Sequence, residues 1–141
     1  MTTTSTVADL RTGLADALGV ISGCQVSAYV LSNFTPPALM IRPATDPAVE
    51  YAQTMQEGSQ NWYFLIVGYV GAVTDIGAQQ QLDRWLDVTG STSVVQALIA
   101  DRTLGGVCDT LHIDSCRAYQ EYARPDGSTV LGAEWTVLVV T

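Results

Sequence analysis

From Asn61 to Val73 the chain runs NWYFLIVGYVGAV, and both alternating sets of its first half are apolar: Trp62, Phe64 and Ile66 on one side, Tyr63, Leu65 and Val67 on the other. A strand with one wet face alternates apolar with polar residues. A run that is apolar on both sets therefore predicts a strand buried on both sides, hence a central one. Gly68 and Gly71 fall inside the run. A glycine within a strand marks a bend or a close approach of backbone to a bulky neighbour. The rest of the chain has to supply neighbours for this strand and a layer to cover it.

Val7, Leu10, Leu14, Leu18 and Ile21 recur at spacings of three and four, which predicts an amphipathic helix over about residues 6–19. Thr6 followed three positions later by Asp9 suits a capping box, and Gly19 suits the C-terminal stop. Gln25 to Leu31 and Ala38 to Arg42 are short β-prone runs joined by a loop containing Pro36 and Pro37, with Pro43 closing the second. Ala44 to Gln60 is a polar stretch of 17 residues without a clear period, expected to be a long loop. Asp75 opens a second helical pattern through Ile76, Gln79, Leu82, Trp85, Leu86 and Val88, ending near Gly90. Ser91 to Ala100 forms a third, with Val94, Leu98 and Ile99 as its apolar edge, broken by Asp101 to Gly106. Val107 to Tyr122 and Ala133 to Val140 are strands around Pro125-Asp126-Gly127, which is hairpin chemistry.

The order is helix, three strands, two helices, two strands. It predicts one α+β domain over residues 1–141: a mainly antiparallel mixed sheet of about five strands with two to three helices packed on one face.

Charge excludes some function classes. The basic residues are six arginines and no lysine against 14 acids, a net charge of -8. Nucleic-acid modules place cations against phosphates, so specific binding to DNA or RNA, or to an anionic membrane surface, is not expected. No run of eighteen apolar residues predicts a membrane span, and the first residues lack the pattern of a secretory signal. Cys24, Cys108 and Cys116 are an odd number and form no disulfide framework; buried reduced thiols account for them.

Cys108, His112 and Cys116 stand at spacings of four, which on a helix would gather ligands for zinc. The surrounding residues predict a strand. There each step of four spans about 13 Å, too far for the roughly 2 Å bonds of one metal and too far for a His–Cys dyad. Asp83 and Asp87 flank Arg84 on the solvent side of a helix whose apolar stripe is Leu82, Trp85 and Leu86. Trp62, Trp85 and Trp135 are core residues by periodicity. No nucleophile elbow, zincin or phosphate-loop pattern is present, so no catalytic, cofactor or metal site is expected.

Several features, taken in order, form a known pattern. Its first half is the early helix with Leu10-Arg11, then Pro36-Pro37-Ala38 leading into a strand, Pro43, and the long polar segment. Its second half is Leu82-Asp83, Ser93-Val94, Ala97-Leu98, Asp101, Thr103-Leu104-Gly105-Gly106, Tyr119 and Gly132-Ala133-Glu134. Over about residues 10–140 the chain resembles the tail terminator proteins of long-tailed siphophages, particularly those infecting actinobacteria. The resemblance implies a non-enzymatic virion protein of the tail and neck, assembled in the host cytoplasm. Such a protein forms a homohexameric ring at the head-proximal end of the tail tube. Its partners would be its own copies, the major tail tube protein and the head completion or stopper protein, with DNA only passing through the lumen. An acidic chain without lysine suits a lumen that repels phosphate.

A ring needs one patch on each subunit to meet a different patch on the next. Tyr51 and Met55 are candidate apolar anchors for that contact, with core packing as the competing account for Tyr51. Arg42, Arg102 and Arg124 are candidate partners for acids across it, and Asp46, Glu50 and Asp126 are candidate acids from the two loops concerned. Two other readings stay open. One is a head-closure or adaptor component, which a mostly β barrel would favour. The other is a small ligand-binding domain or enzyme with a pocket near Tyr69, Trp85 and Trp135.

Overall fold

A computed structural model describes residues 6–31, 34–45, 48–51, 60–72, 74–124 and 127–141. The chain folds as α+β. Helix α1 (Val7–Leu18) is followed by strands β1 (Gln25–Ser27), β2 (Ala38–Pro43), β3 (Val49–Tyr51) and β4 (Gln60–Tyr69). Helices α2 (Ile76–Leu86) and α3 (Val94–Ile99) come next, and then strands β5 (Thr110–Ala123) and β6 (Thr129–Val140). The strands form one six-stranded sheet in the order β1-β2-β4-β6-β5, with β3 pairing with β4 beyond the end of β2.

Strand β4 is central, flanked by β2 and β3 on one side and by β6 on the other. Its inner set, Trp62, Phe64, Ile66 and Gly68, lies opposite Val139, Val137, Trp135 and Ala133 of β6. That face receives all three helices, whose buried residues Leu10, Leu14, Leu18, Leu82, Trp85, Val94 and Leu98 join it in one core. A Cβ on Gly68 would stand 2.8 Å from Trp135 Cζ3 and 3.0 Å from Trp85 Cζ3, so the glycine is what lets the two indoles approach the strand. They meet edge to face, with centroids 6.4 Å apart. Gly13 does the same for α1. A Cβ there would be 2.9 Å from Leu104 Cβ, in the turn that follows α3.

The helix starts follow local chemistry. Thr6 accepts from the Asp9 amide and the Asp9 carboxylate accepts from the Thr6 amide, completing the capping box. Asp75 caps α2 through the Gly77 amide, and Ser93 caps α3 through the Gln96 amide.

Several expectations are corrected. β1 and β2 pair in parallel, Gln25 beside Ala38, within the otherwise antiparallel sheet, and β1 ends at Ser27 rather than Leu31. The segment expected to be a periodless loop contains β3, whose three residues are too few to show a period. β4 ends at Tyr69 rather than Val73, β6 begins at Thr129 rather than Ala133, and β5 begins at Thr110 rather than Val107. α2 ends at Leu86, and its expected apolar members Ile76 and Val88 are exposed. On α3, Ala97 is buried in place of Ile99. Gly19 ends α1 in a right-handed conformation, without the left-handed turn a C-terminal glycine usually supplies.

Candidate functional site

β5 is an edge strand with two register shifts, between Ile113 and Ser115 and between Arg117 and Gln120. The first shift inserts Asp114 as an extra residue and reverses the alternation beyond it. His112 therefore lies beside Leu138 on the face that carries no helix among the described residues, the helix-free face, whereas Cys116 lies beside Trp135 and packs on the core. Strand alternation without a bulge puts Cys108, His112 and Cys116 on one face. The bulge separates the last two, and Cys108 sits in the turn before the strand, its Sγ donating to the Arg102 carbonyl at 3.5 Å. Burial raises the thiol of Cys108 to about 11, with Asp109 and Asp101 adding to it, and burial also raises Cys24 and Cys116. All three are neutral thiols at neutral pH. Among the described residues no group of three His, Cys, Asp or Glu side chains is placed to hold a metal ion.

The helix-free face divides into two parts. At one end Phe34 stacks on Tyr69 at 5.0 Å, and Tyr122 meets Tyr69 edge-on at 5.2 Å. The Arg124 guanidinium lies 4.8 Å from the Phe34 ring centre and donates to the Phe34 carbonyl at 2.8 Å. The Tyr122 hydroxyl donates to the Ala118 carbonyl at 2.7 Å. Burial, reinforced by Glu134, pushes that phenol up to about 12. The other end is a polar cleft of about 610 Å³ whose walls include Tyr63, Leu65, Asp114, Arg117 and Glu134. Arg42 forms an ion pair with Glu134 at 3.1 Å, and Arg117 Nε donates to Ser115 Oγ at 3.2 Å. The Tyr63 hydroxyl donates to Glu50, and this bond is the main reason its phenol is raised.

The residues proposed from sequence as interface groups are thus dispersed. Arg42 on β2 and Arg124 beside the hairpin are engaged within the chain, with Glu134 and with Phe34, and Glu50 on β3 accepts from Tyr63. Arg102 is exposed in the turn after α3. Tyr51 is the last residue of β3, opposite Gln60. Asp46, Met55 and Asp126 lie outside the described residues. Tyr69 lies on the sheet face opposite Trp85 and Trp135, so the pocket expected among these three rings is not formed.

A second concavity, missed from sequence, opens at the β5 edge between the helices and the sheet. It holds about 380 Å³, walled by Leu86, Val88, Ile99 and Ile113. The signal was present in Val88 and Ile99, apolar residues assigned to buried stripes but standing 69% and 41% exposed. No family model matches the chain, and none of the curated proteins is found to be similar to it.

Proposed function

We propose that this chain is a structural subunit of a long-tailed phage. In this reading it closes into a homohexameric ring at the head-proximal end of the tail tube, stops tube polymerisation and joins the tail to the head completion complex. The observation that carries the reading is the two-layer build combined with the ordered sequence pattern over residues 10–140. The helices cover one face of the sheet, while β1 and β5 end it at either side with exposed apolar residues nearby. A subunit that meets its neighbours through two different surfaces needs such unfinished sides. An early helix with a mixed sheet also supports a terminator over a closure component, which would favour a mostly β barrel. The net charge of -8 without lysine supports a lumen through which DNA slides without adhering.

The test is the mass of the purified chain by light scattering, followed by adding it to polymerising tail tube protein and imaging the product. A hexamer, or a single chain that closes into a ring on tube ends and arrests their growth, is the expected outcome. A stable monomer that ignores tubes overturns it. The polar cleft around Tyr63, Arg117 and Glu134 is the one observation favouring a small-ligand domain instead, and retention of a small molecule through purification would support that reading.

A further inference from the structure

The two faces of the sheet are unequally covered. Three helices seal one, whereas on the open half of the other Tyr63, Leu65, Thr136 and Leu138 stand only half-buried around the polar cleft. A sheet face carrying apolar residues calls for a further layer. The charges in the cleft restrict what that layer can be. Glu134 is taken by Arg42 at 3.1 Å, and Glu50 by the Tyr63 hydroxyl. Among the described residues Asp114 makes no hydrogen bond or ion pair, and Arg117 uses only its Nε, on Ser115 Oγ. An occupant has to bring a carboxylate for Arg117 and a cation for Asp114.

The scarcity of cations narrows the choice, because the chain has six arginines and no lysine. Arg11 is held by the Ala28 and Ile41 carbonyls, Arg42 by Glu134, and Arg124 by the Phe34 carbonyl. Arg117 stands in the cleft itself. Arg102 lines the groove at the β5 edge together with Asp114, so a contact through it would set the same edge of two copies together. The remaining cation is Arg84, exposed on α2 between Asp83 and Asp87, which are exposed too.

Helix α2 buries Ala78, Leu82 and Trp85. Its outer face is therefore the line Ile76, Gln80 and Asp83, at spacings of four and three, with Arg84 beside it and Asp87 one turn on. Ile76 heads that line and is 70% exposed. The face thus offers an apolar side chain for Leu65 and Tyr63, carboxylates for Arg117 and a guanidinium for Asp114. Its size also suits the cleft. Eleven helical residues span about 16 Å, and the cleft crosses three strand spacings, about 14 Å, from the end of β2 to β5. The two surfaces lie on opposite sides of the sheet, so they cannot meet within one chain.

We infer that the open half of the helix-free face receives the outer face of α2 from a second copy of this chain. The contact joins two different surfaces, which leaves each dimer with one free cleft and one free α2 and lets the series close into a ring. Exposed ion pairs contribute little singly, so Ile76 against Leu65 and Tyr63 supplies affinity while the charges fix partner and register. The inference rests on the ring reading above and assigns its subunit contact.

The experiment reverses the charges on each side: Arg117→Glu in the cleft, and Asp83→Arg with Asp87→Arg on α2. All three positions are exposed, and unchanged melting checks that each variant folds. Should Arg117→Glu melt early, Arg117→Gln takes its place and should weaken assembly. Assembly is read by light scattering of the chain alone and by imaging tail tube ends. Each reversed variant by itself should lose the multi-subunit species that the wild type makes in either setting, because like charges then face each other at every junction. An equimolar mixture of the two should regain it, since chains alternating round a ring meet opposite charges at every junction. Mixing cannot repair a merely structural defect. Ile76→Ser should weaken assembly without abolishing it.

The contact is overturned if either reversed variant assembles like the wild type, or if the mixture stays as single chains. Rings that still form and still arrest tubes with both variants would remove this contact and leave the ring reading intact. A wild type that assembles in neither setting would remove both. A wild type that stops at two chains in both settings would point to pairing through the Arg102 edge and overturn this contact, as would a small molecule seated in the cleft.

Discussion

On the helix-facing side of the sheet, Phe64, Ile66, Trp135, Val137 and Val139 are all at most 1% exposed, among the side chains of three helices. The opposite side carries discrete polar and aromatic pairings instead: Arg42 with Glu134, Tyr63 with Glu50, and Phe34 with Tyr69 and Tyr122. The two faces share the same strands, so backbone pairing cannot account for the contrast. One face is stabilised by apolar area removed from water, which scales with size and tolerates no voids. The other depends on pairwise geometry near solvent, where each contact contributes little. A subunit built this way keeps its fold on one side and has the other side and its edges free to be changed by partners.

The contrast is broken most directly at Trp135. Its replacement by alanine removes the largest inner-face side chain of β6 and should destabilise the fold by about 3–5 kcal/mol, read by chemical denaturation. An outer-face aromatic such as Phe34→Ala should cost clearly less. Equal losses would mean that the helix-free face is as well packed as the core.

Filling space tests the same face from the other direction. Gly68→Ala forces a Cβ to 2.8 Å from Trp135 and 3.0 Å from Trp85, atoms held by tight packing, and should cost about 1–3 kcal/mol. Ser93→Ala works at the margin of that core. Ser93 is 1% exposed, donates to the Asp87 carbonyl and accepts from the Gln96 amide, so its loss strands two backbone groups and should cost about 1–2 kcal/mol.

Alkaline titration separates the faces by their ionisable groups. Cys108 belongs to the core and Tyr122 to the opposite face, and their protons are held to about 11 and about 12. Unfolding returns them to 9.0 and 10.0. Above pH 9 the unfolded chain binds fewer protons than the native one, so stability must fall as pH rises. The share from Cys108 is complete below pH 9 and lost between 9 and 11, and the share from Tyr122 is lost between 10 and 12. Cys108→Ala should lessen the earlier part of the decline in denaturation midpoint and Tyr122→Phe the later part, the remainder coming from Cys24, Cys116, Tyr63 and Tyr69, whose protons are also held above their ordinary values. A midpoint flat from pH 8 to 12 would contradict both.

How much of this was legible in the sequence depends on how local its cause is. The Thr6–Asp9 capping box spans four residues and was readable, as was the central position of β4, because a run apolar on both alternating sets needs a neighbour on each side to keep it from water. The parallel pairing of β1 with β2 was not, because strand partnership is decided by where the chain returns and not by the residues of either strand. The Asp114 bulge was invisible for a related reason. One inserted residue reverses the alternation, and with it the face assigned to Cys116. Among the candidate interface residues, the arginines were identifiable as the scarce cations, but their partners Glu134 and Phe34 lie 92 and 90 positions away in sequence. Periodicity assigned Val88 and Ile99 to a core, since apolar type alone does not tell a buried position from the wall of an open groove.

The smallest effect belongs to the Arg42–Glu134 pair, and it is the sharpest check on the contrast between faces. The side chains are 38% and 20% exposed, so solvent screens their attraction, and ordering two long side chains offsets part of it. A double-mutant cycle with Arg42→Ala and Glu134→Ala should therefore return a coupling of at most about 1 kcal/mol, weaker still in 1 M salt. Glu134 is the more buried partner, so Arg42→Ala alone should cost at least the coupling, with Arg117, opposite Glu134 in the β5–β6 register, limiting the loss. A coupling of several kcal/mol would mean that this face is locked by its ion pair. The helix-free side would then be a second structural core rather than a surface left open to partners.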